Sequence, residues 1–188
     1  MIYLVGGAPR VGKSILAQQI SAHLSIGWIS TDLLEDMLRF KNVAGTKTEW
    51  NAAHEAIAAA AEWFFPCLER FIWGVNSMAE SYVIEGVDFL PEHAVRLSAQ
   101  YPIRVVFLGC SKMTIERFDH FPGRSRGYSG LPEEVRRQFA QDIPLWSKFV
   151  GQEAEHFGCP YIDMSDDFQL RLKEAEALLT AGLFPAES

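Results

Sequence analysis

Eight residues near the N-terminus, Gly7 to Ser14 (GAPRVGKS), satisfy the spacing GxxxxGK[ST] and follow directly on the apolar run Ile2 to Val5. A strand that turns tightly into a helix aims successive backbone N–H groups into one concavity. The helix N-terminus adds partial positive charge there, so the natural occupant is a polyphosphate. Lys13 is long enough to reach the β- and γ-phosphates, and the Ser14 hydroxyl is placed to ligate Mg²⁺. Glycine and proline at such a junction could be turn punctuation alone. The Lys–Ser pair in register after the second glycine, with a helical pattern behind it, argues for the phosphate role. The residues expected around the polyphosphate are therefore Gly7, Ala8, Pro9, Arg10, Val11, Gly12, Lys13, Ser14 and Ile15.

The rest of the chain supports an enclosed α/β domain rather than a linear array. Apolar runs at Ile2–Val5, Gly27–Ser30, Tyr82–Glu85, Ile103–Gly109 and Pro160–Met164 alternate with amphipathic stretches starting near Gly12, Thr31, Glu49, Pro91, Ser111, Pro132 and Asp166. That alternation is the pattern of a parallel sheet with helices on both faces. Pro91 and Pro132 suit first helical turns, where a missing N–H costs nothing, and Ser165 or Asp166 suits the cap of the last helix. Glu133 and Glu134 complement the dipole at the start of the helix after Pro132. The stretch Ala56 to Trp73 is too interrupted by Glu62, Pro66, Glu69 and Arg70 to span a bilayer and reads as a helix pair or a kinked helix.

Composition narrows the function classes. At 188 residues, 48% hydrophobic and 22% charged, the chain is suited to one domain with a sizeable core. A net charge of −7 argues against a protein whose main task is to coat nucleic acid. The chain runs straight into its first strand with no basic start and apolar signal region, so a cytoplasmic location is expected. Cys67, Cys110 and Cys159 lack CxxC spacing and are expected as reduced, buried thiols. His23, His54, His93, His120 and His156 show no metal spacing, and none is assigned as ligand or base.

Three further constellations carry chemistry. In ISTDLLEDMLRF, Asp32 stands at the carboxyl end of the second strand, the edge where open α/β sheets bind ligands, and Arg39 lies about two turns along the next helix. Asp32, Ser30 and Thr31 are also good helix caps, and Arg39 could be an ordinary surface residue. In YVIEGVDFLP, Glu85 closes an apolar strand, where a carboxylate needs a compensating partner and suits the water shell of Mg²⁺. Asp88 is the second candidate, with a turn before Pro91 as its simpler role. In ERFDHFPGRSRG, Arg117 leads into a glycine-bearing segment with Arg124 and Arg126, the composition of a mobile, cationic lid. Phosphoryl transfer spreads negative charge over the moving group, and cations that close over it stabilise it.

With these segments in this order, the chain resembles the small P-loop kinases of metabolites and nucleotides. ISTDLLEDMLR and VIEGVDFLP are most similar to the 2-phosphoglycerate kinase type, and DMLR with ERF…GR to adenylate kinase. The resemblance implies a P-loop NTPase three-layer sandwich with a five-stranded parallel sheet in the order 2-3-1-4-5. It implies a single domain over 1–188, acceptor-binding helices over about 31–78 and a lid over about 117–131. By the same resemblance Lys13, Asp32, Arg117 and Arg124 are catalytic, with Asp32 orienting or deprotonating the acceptor hydroxyl. Asp32, Arg39, Asp88 and Arg126 bind the acceptor, Ser14 and Glu85 place Mg²⁺, and Arg117 with the loop around Met164 to Phe168 holds adenine. The chain departs from the family pattern in carrying Asp88 where a histidine often follows EGV. The expected partner is a small-molecule acceptor rather than a membrane or nucleic acid, and a homodimer stays open. A 5′-hydroxyl nucleic-acid kinase and a nucleotide-binding regulatory P-loop protein are the alternatives, the first disfavoured by the acidic balance and the second by the absence of an NKxD segment.

Overall fold

In the computed structural model, which describes residues 1–41, 53–120 and 130–182, all five apolar runs form strands of one parallel sheet. β1 (Ile2–Gly7) is apolar throughout and buried at every position, as a strand covered on both faces must be. Around it lie β2 (Gly27–Ser30), β3 (Tyr82–Glu85), β4 (Ile103–Gly109) and β5 (Tyr161–Asp163), in the expected order β2-β3-β1-β4-β5. The register places Val5 opposite Glu85 and Glu85 opposite Ser30. β2 and β3 therefore finish at one level, opposite Val5 of β1, and the segments that follow emerge at the carboxyl edge, beside the switch point between β1 and its neighbours β3 and β4.

Helices α1 (Lys13–Leu24) and α7 (Phe168–Thr180) pack on each other and on one sheet face, through Leu16, Ala17 and Ile20 of the first and Leu172, Ala175 and Leu179 of the second. Helices α4 (Pro91–Ser98) and α6 (Glu133–Phe157) pack on the opposite side. α3 (His54–Ser77) joins them there, stacking His54 on Phe149 of α6 and setting Phe71 edge-on to Tyr82 of β3. The short helices α2 (Thr31–Phe40) and α5 (Ile115–His120) flank the carboxyl edge. Among the described residues no helix is long and apolar enough to cross a membrane.

Several boundaries differ from the sequence reading. α3 is one helix through Pro66, because Ile57, Phe64, Leu68, Ile72 and Val75 are all buried at helical spacing, and that packing outweighs one missing N–H. Pro132 sits at the N-cap of α6, one residue before its first turn. The helix expected near Ser111 starts at Ile115. Asp167, rather than Ser165 or Asp166, caps α7 by accepting from the N–H groups of Gln169 and Leu170, since Ser165 is turned onto Asp163. The helix start expected near Glu49 lies outside the described residues.

α3 is tied to the start of α4 by a buried histidine. The Leu90 N–H donates to His93 Nδ1 at 3.1 Å, which puts the ring proton on Nε2, 3.0 Å from Glu62. Arg96 donates to the same Glu62 carboxylate and lies over the Phe65 ring. Burial holds the His93 pKa below its ordinary 6.5, against the opposing pull of Glu62.

Two predictions follow from this packing. A Cβ at Gly7 would come 1.9 Å from the Leu108 carbonyl oxygen, at a φ of 129°, whereas a Cβ at Gly74 in α3 meets nothing within 4 Å. Gly7→Ala is expected to destabilise the fold by more than about 2 kcal/mol, and Gly74→Ala to stabilise it by about 0.5–1 kcal/mol, read from urea midpoints. Because the unfolded chain protonates His93 more readily than the folded one, stability is retained above pH 6.5 and falls as pH drops below it. Urea titrations from pH 8 to 5 should show this slope flattened in His93→Gln, and an unchanged slope would remove His93 as its source.

Candidate active site

Glycines at both ends of the loop between β1 and α1 let the chain curl back over the strand: Gly7 has φ 129° and Gly12 has φ 100°. Arg10 between them is also left-handed, at φ 63°. The Ala8 N–H is fixed to the Leu108 carbonyl at 3.0 Å, and the buried Ala8 and Val11 press the loop onto the core. Ile15 uses its N–H on the Gly12 carbonyl, and its side chain is exposed. The expected phosphate loop is thus a preformed turn whose shape glycine permits.

Lys13 is 7% exposed and folds back along the loop, its Nζ donating to the Ala8 carbonyl at 2.6 Å. Burial lowers its pKa, and the charges of Glu85, Asp32 and Asp88 oppose that shift. Those carboxylates come from the carboxyl ends of two different strands. Glu85 ends β3 and is buried, and Ser14 donates its hydroxyl to Glu85 Oε1 at 3.0 Å. Asp32 stands exposed in the first turn of α2, near enough to act on the lysine. The level strand ends are what bring all four groups to one place.

Asp88 is 3% exposed and accepts the Thr31 hydroxyl at 2.5 Å. A Cβ at Gly86 would sit 1.7 Å from Thr31 Oγ1, so the bare glycine leaves the notch that lets the β2–α2 corner approach β3. The actual N-cap, Ser30, makes no side-chain capping bond, and the threonine instead fixes the corner that carries Asp32. The legible signal was the pairing of STD after one strand with EGVD after the next, although which hydroxyl met which carboxylate depended on their packing.

The donor set fits a magnesium ion that is completed by phosphate. Ser14 and Glu85 supply adjacent oxygens, while among the described residues no group of three His, Cys, Asp or Glu side chains could cage a metal. Mg²⁺ is held in this manner in many phosphate sites, by one or two protein oxygens plus water and the phosphates.

Arg39 and Arg117 are both engaged by their own chain. Arg39 donates to Glu35 at 2.6 Å and lies over the Trp63 ring, joining α2 to α3. Arg117 donates to the carbonyls of Ser165 and Met164, so α5 is bound to the turn after β5, where the adenine was expected. Arg124 and Arg126 lie outside the described residues.

Neither a protein-family model nor a curated protein matches the sequence. Among solved structures the chain is similar to a shikimate kinase from Bacteroides thetaiotaomicron, with 12% identity and a TM-score of 0.54 over 97% of this chain and 98% of that one. It is also similar to a gluconokinase from Sinorhizobium meliloti 1021, with 17% identity and a TM-score of 0.51 over 95% of this chain and 90% of that one. At these identities the likeness concerns the fold. Sheet order, loop and neighbours together make this a P-loop NTPase fold.

Proposed function

We propose that the chain is an ATP- and Mg²⁺-dependent kinase that transfers the γ-phosphoryl group to a hydroxyl or acidic group of a small metabolite, in the cytoplasm. The observation that supports this reading most is the grouping of Lys13, the Ser14–Glu85 pair and Asp32 at one sheet edge. A protein that only binds nucleotide needs the loop and the metal donors. It has no use for a further carboxylate beside them at the end of a neighbouring strand.

In this reading the loop N–H groups and Lys13 grip the β- and γ-phosphates, with Lys13 exchanging the Ala8 carbonyl for phosphate oxygen. Ser14 and Glu85 would hold Mg²⁺, which would supply charge neutralisation to the phosphates. The acceptor occupies the space beside α2 and α3, where Asp32 takes the hydroxyl proton as the acceptor oxygen bonds to the γ-phosphorus. The bond from that phosphorus to the bridging β-oxygen breaks and ADP leaves. Arg39 grips an acidic group of the acceptor by releasing Glu35, and Asp88 holds the corner through Thr31. Arg117 neutralises charge developing on the transferred group, a role that Arg124 and Arg126 share on the strength of the sequence.

The shikimate kinase and gluconokinase neighbours favour small hydroxylated acceptors over 5′-hydroxyl oligonucleotides, and the net charge of −7 favours the same side. Asp32→Asn is expected to bind Mg·ATP nearly as the wild type does while transfer falls by about 10²–10⁴-fold, the usual worth of a positioned base. Lys13→Ala should lose nucleotide binding itself. Calorimetry paired with ATP consumption across phosphorylated sugars, hydroxy acids, nucleosides and 5′-hydroxyl oligonucleotides checks both. Undiminished turnover in Asp32→Asn would retire the aspartate, and an inert panel would favour a regulatory nucleotide-binding role.

A further inference from the structure

Arg10 holds a backbone conformation in which glycine is the unstrained choice, with φ 63° in the middle of the phosphate loop. A residue kept there against its preference needs a compensating contact. Its guanidinium supplies one: Arg10 Cζ lies 5.1 Å from the centroid of the Phe118 ring, within the range of cation–π attraction. Phe118 belongs to α5, is 2% exposed, and packs against Phe139 of α6 with ring centroids 6.3 Å apart.

Two other contacts complete a circuit around the loop. Arg117, beside Phe118, fastens α5 to the carbonyls of Met164 and Ser165 after β5. Phe168, which opens α7 just beyond, lies with its ring 2.9 Å from where a Cβ at Gly12 would be. The phosphate loop thus touches α5 at Arg10 and the β5–α7 turn at Gly12, and Arg117 joins those two supports.

We propose that Arg10 is a positioning residue that couples occupancy of the phosphate loop to the placement of α5, and through it of Arg117. This rests on the nucleotide reading of the loop given above. Arg10 and Lys13 are like charges on one short loop, and their repulsion adds a little to the lowering of the Lys13 pKa that burial causes first. A bound polyphosphate cancels that repulsion, so the guanidinium that already lies over Phe118 is held there more firmly. The planar, delocalised guanidinium suits stacking on a ring, which an ammonium does poorly.

The test is amide hydrogen exchange over residues 115–120, with and without Mg²⁺ and an ATP analogue whose β- and γ-phosphates are bridged by NH. Calorimetry first sets a saturating concentration for each protein. In the wild type the analogue should slow exchange by about three- to tenfold, the range expected of one partly desolvated cation–π contact. Arg10→Gly should melt at the same or a higher temperature, because its φ is relieved, yet lose the slowing, and Arg10→Lys should retain only part of it. Phe118→Leu, which breaks the contact from the other side, should also lose the slowing. Equal slowing in Arg10→Gly, or analogue binding to the wild type without slowing, would overturn the coupling while leaving the nucleotide reading intact. An absence of calorimetric binding to the wild type would overturn both.

Discussion

A buried lysine organises this edge of the molecule. Lys13 has little access to water, so its ammonium depends on the Ala8 carbonyl and on the field of Glu85, Asp32 and Asp88. Each carboxylate in turn needs the positive charge, Glu85 and Asp88 most of all because they are themselves buried. A group of charges held in this way is preorganised: little has to move before a phosphate chain can replace the carbonyl as the lysine's partner. The ends of β2 and β3, level with each other beside Val5 of β1, make the arrangement achievable, and parallel register is the reason they are level.

The close packing around the site has a chemical consequence. Gly86 leaves room for Thr31, and the Thr31–Asp88 hydrogen bond then fixes the corner from which Asp32 projects. Gly7 lets the loop pass against the Leu108 carbonyl, and Gly12 lets Phe168 approach. Where a side chain is missing, two backbone segments meet, and the groups on either side are brought within range of one another. The His93–Glu62–Arg96 cluster does similar work farther back, tying the start of α4 to α3 next to the segment that carries Asp88.

Much of this was legible. The strands themselves followed from apolar runs placed between helical patterns, because a strand buried on both faces cannot hide its composition, whereas the sheet order followed from the resemblance to the small P-loop kinases. The loop from Gly7 to Ser14 was legible because its chemistry is local: the glycines, lysine and serine act within eight residues. Pairings between distant residues were less so. Whether Ser30, Thr31 or Asp32 capped α2, and whether Ser165, Asp166 or Asp167 capped α7, depended on which hydroxyl or carboxylate had been drawn off by a partner elsewhere in the chain. Pro66 could not be judged either, since the helix persists through it on the strength of a buried face supplied by other elements.

By itself, then, the sequence determined the class of fold, the phosphate loop and the acidic residues at the strand ends, because each of these is written in neighbouring residues and their periodicity. Only the tertiary structure decided which side chains share a partner: that Ser14 meets Glu85, that Thr31 meets Asp88, that Arg39 is occupied by Glu35 and Trp63, and that Arg10 reaches Phe118. Those contacts join strand ends and helices far apart in the chain. Their existence is set by sheet register and helix packing, which no local stretch of residues encodes.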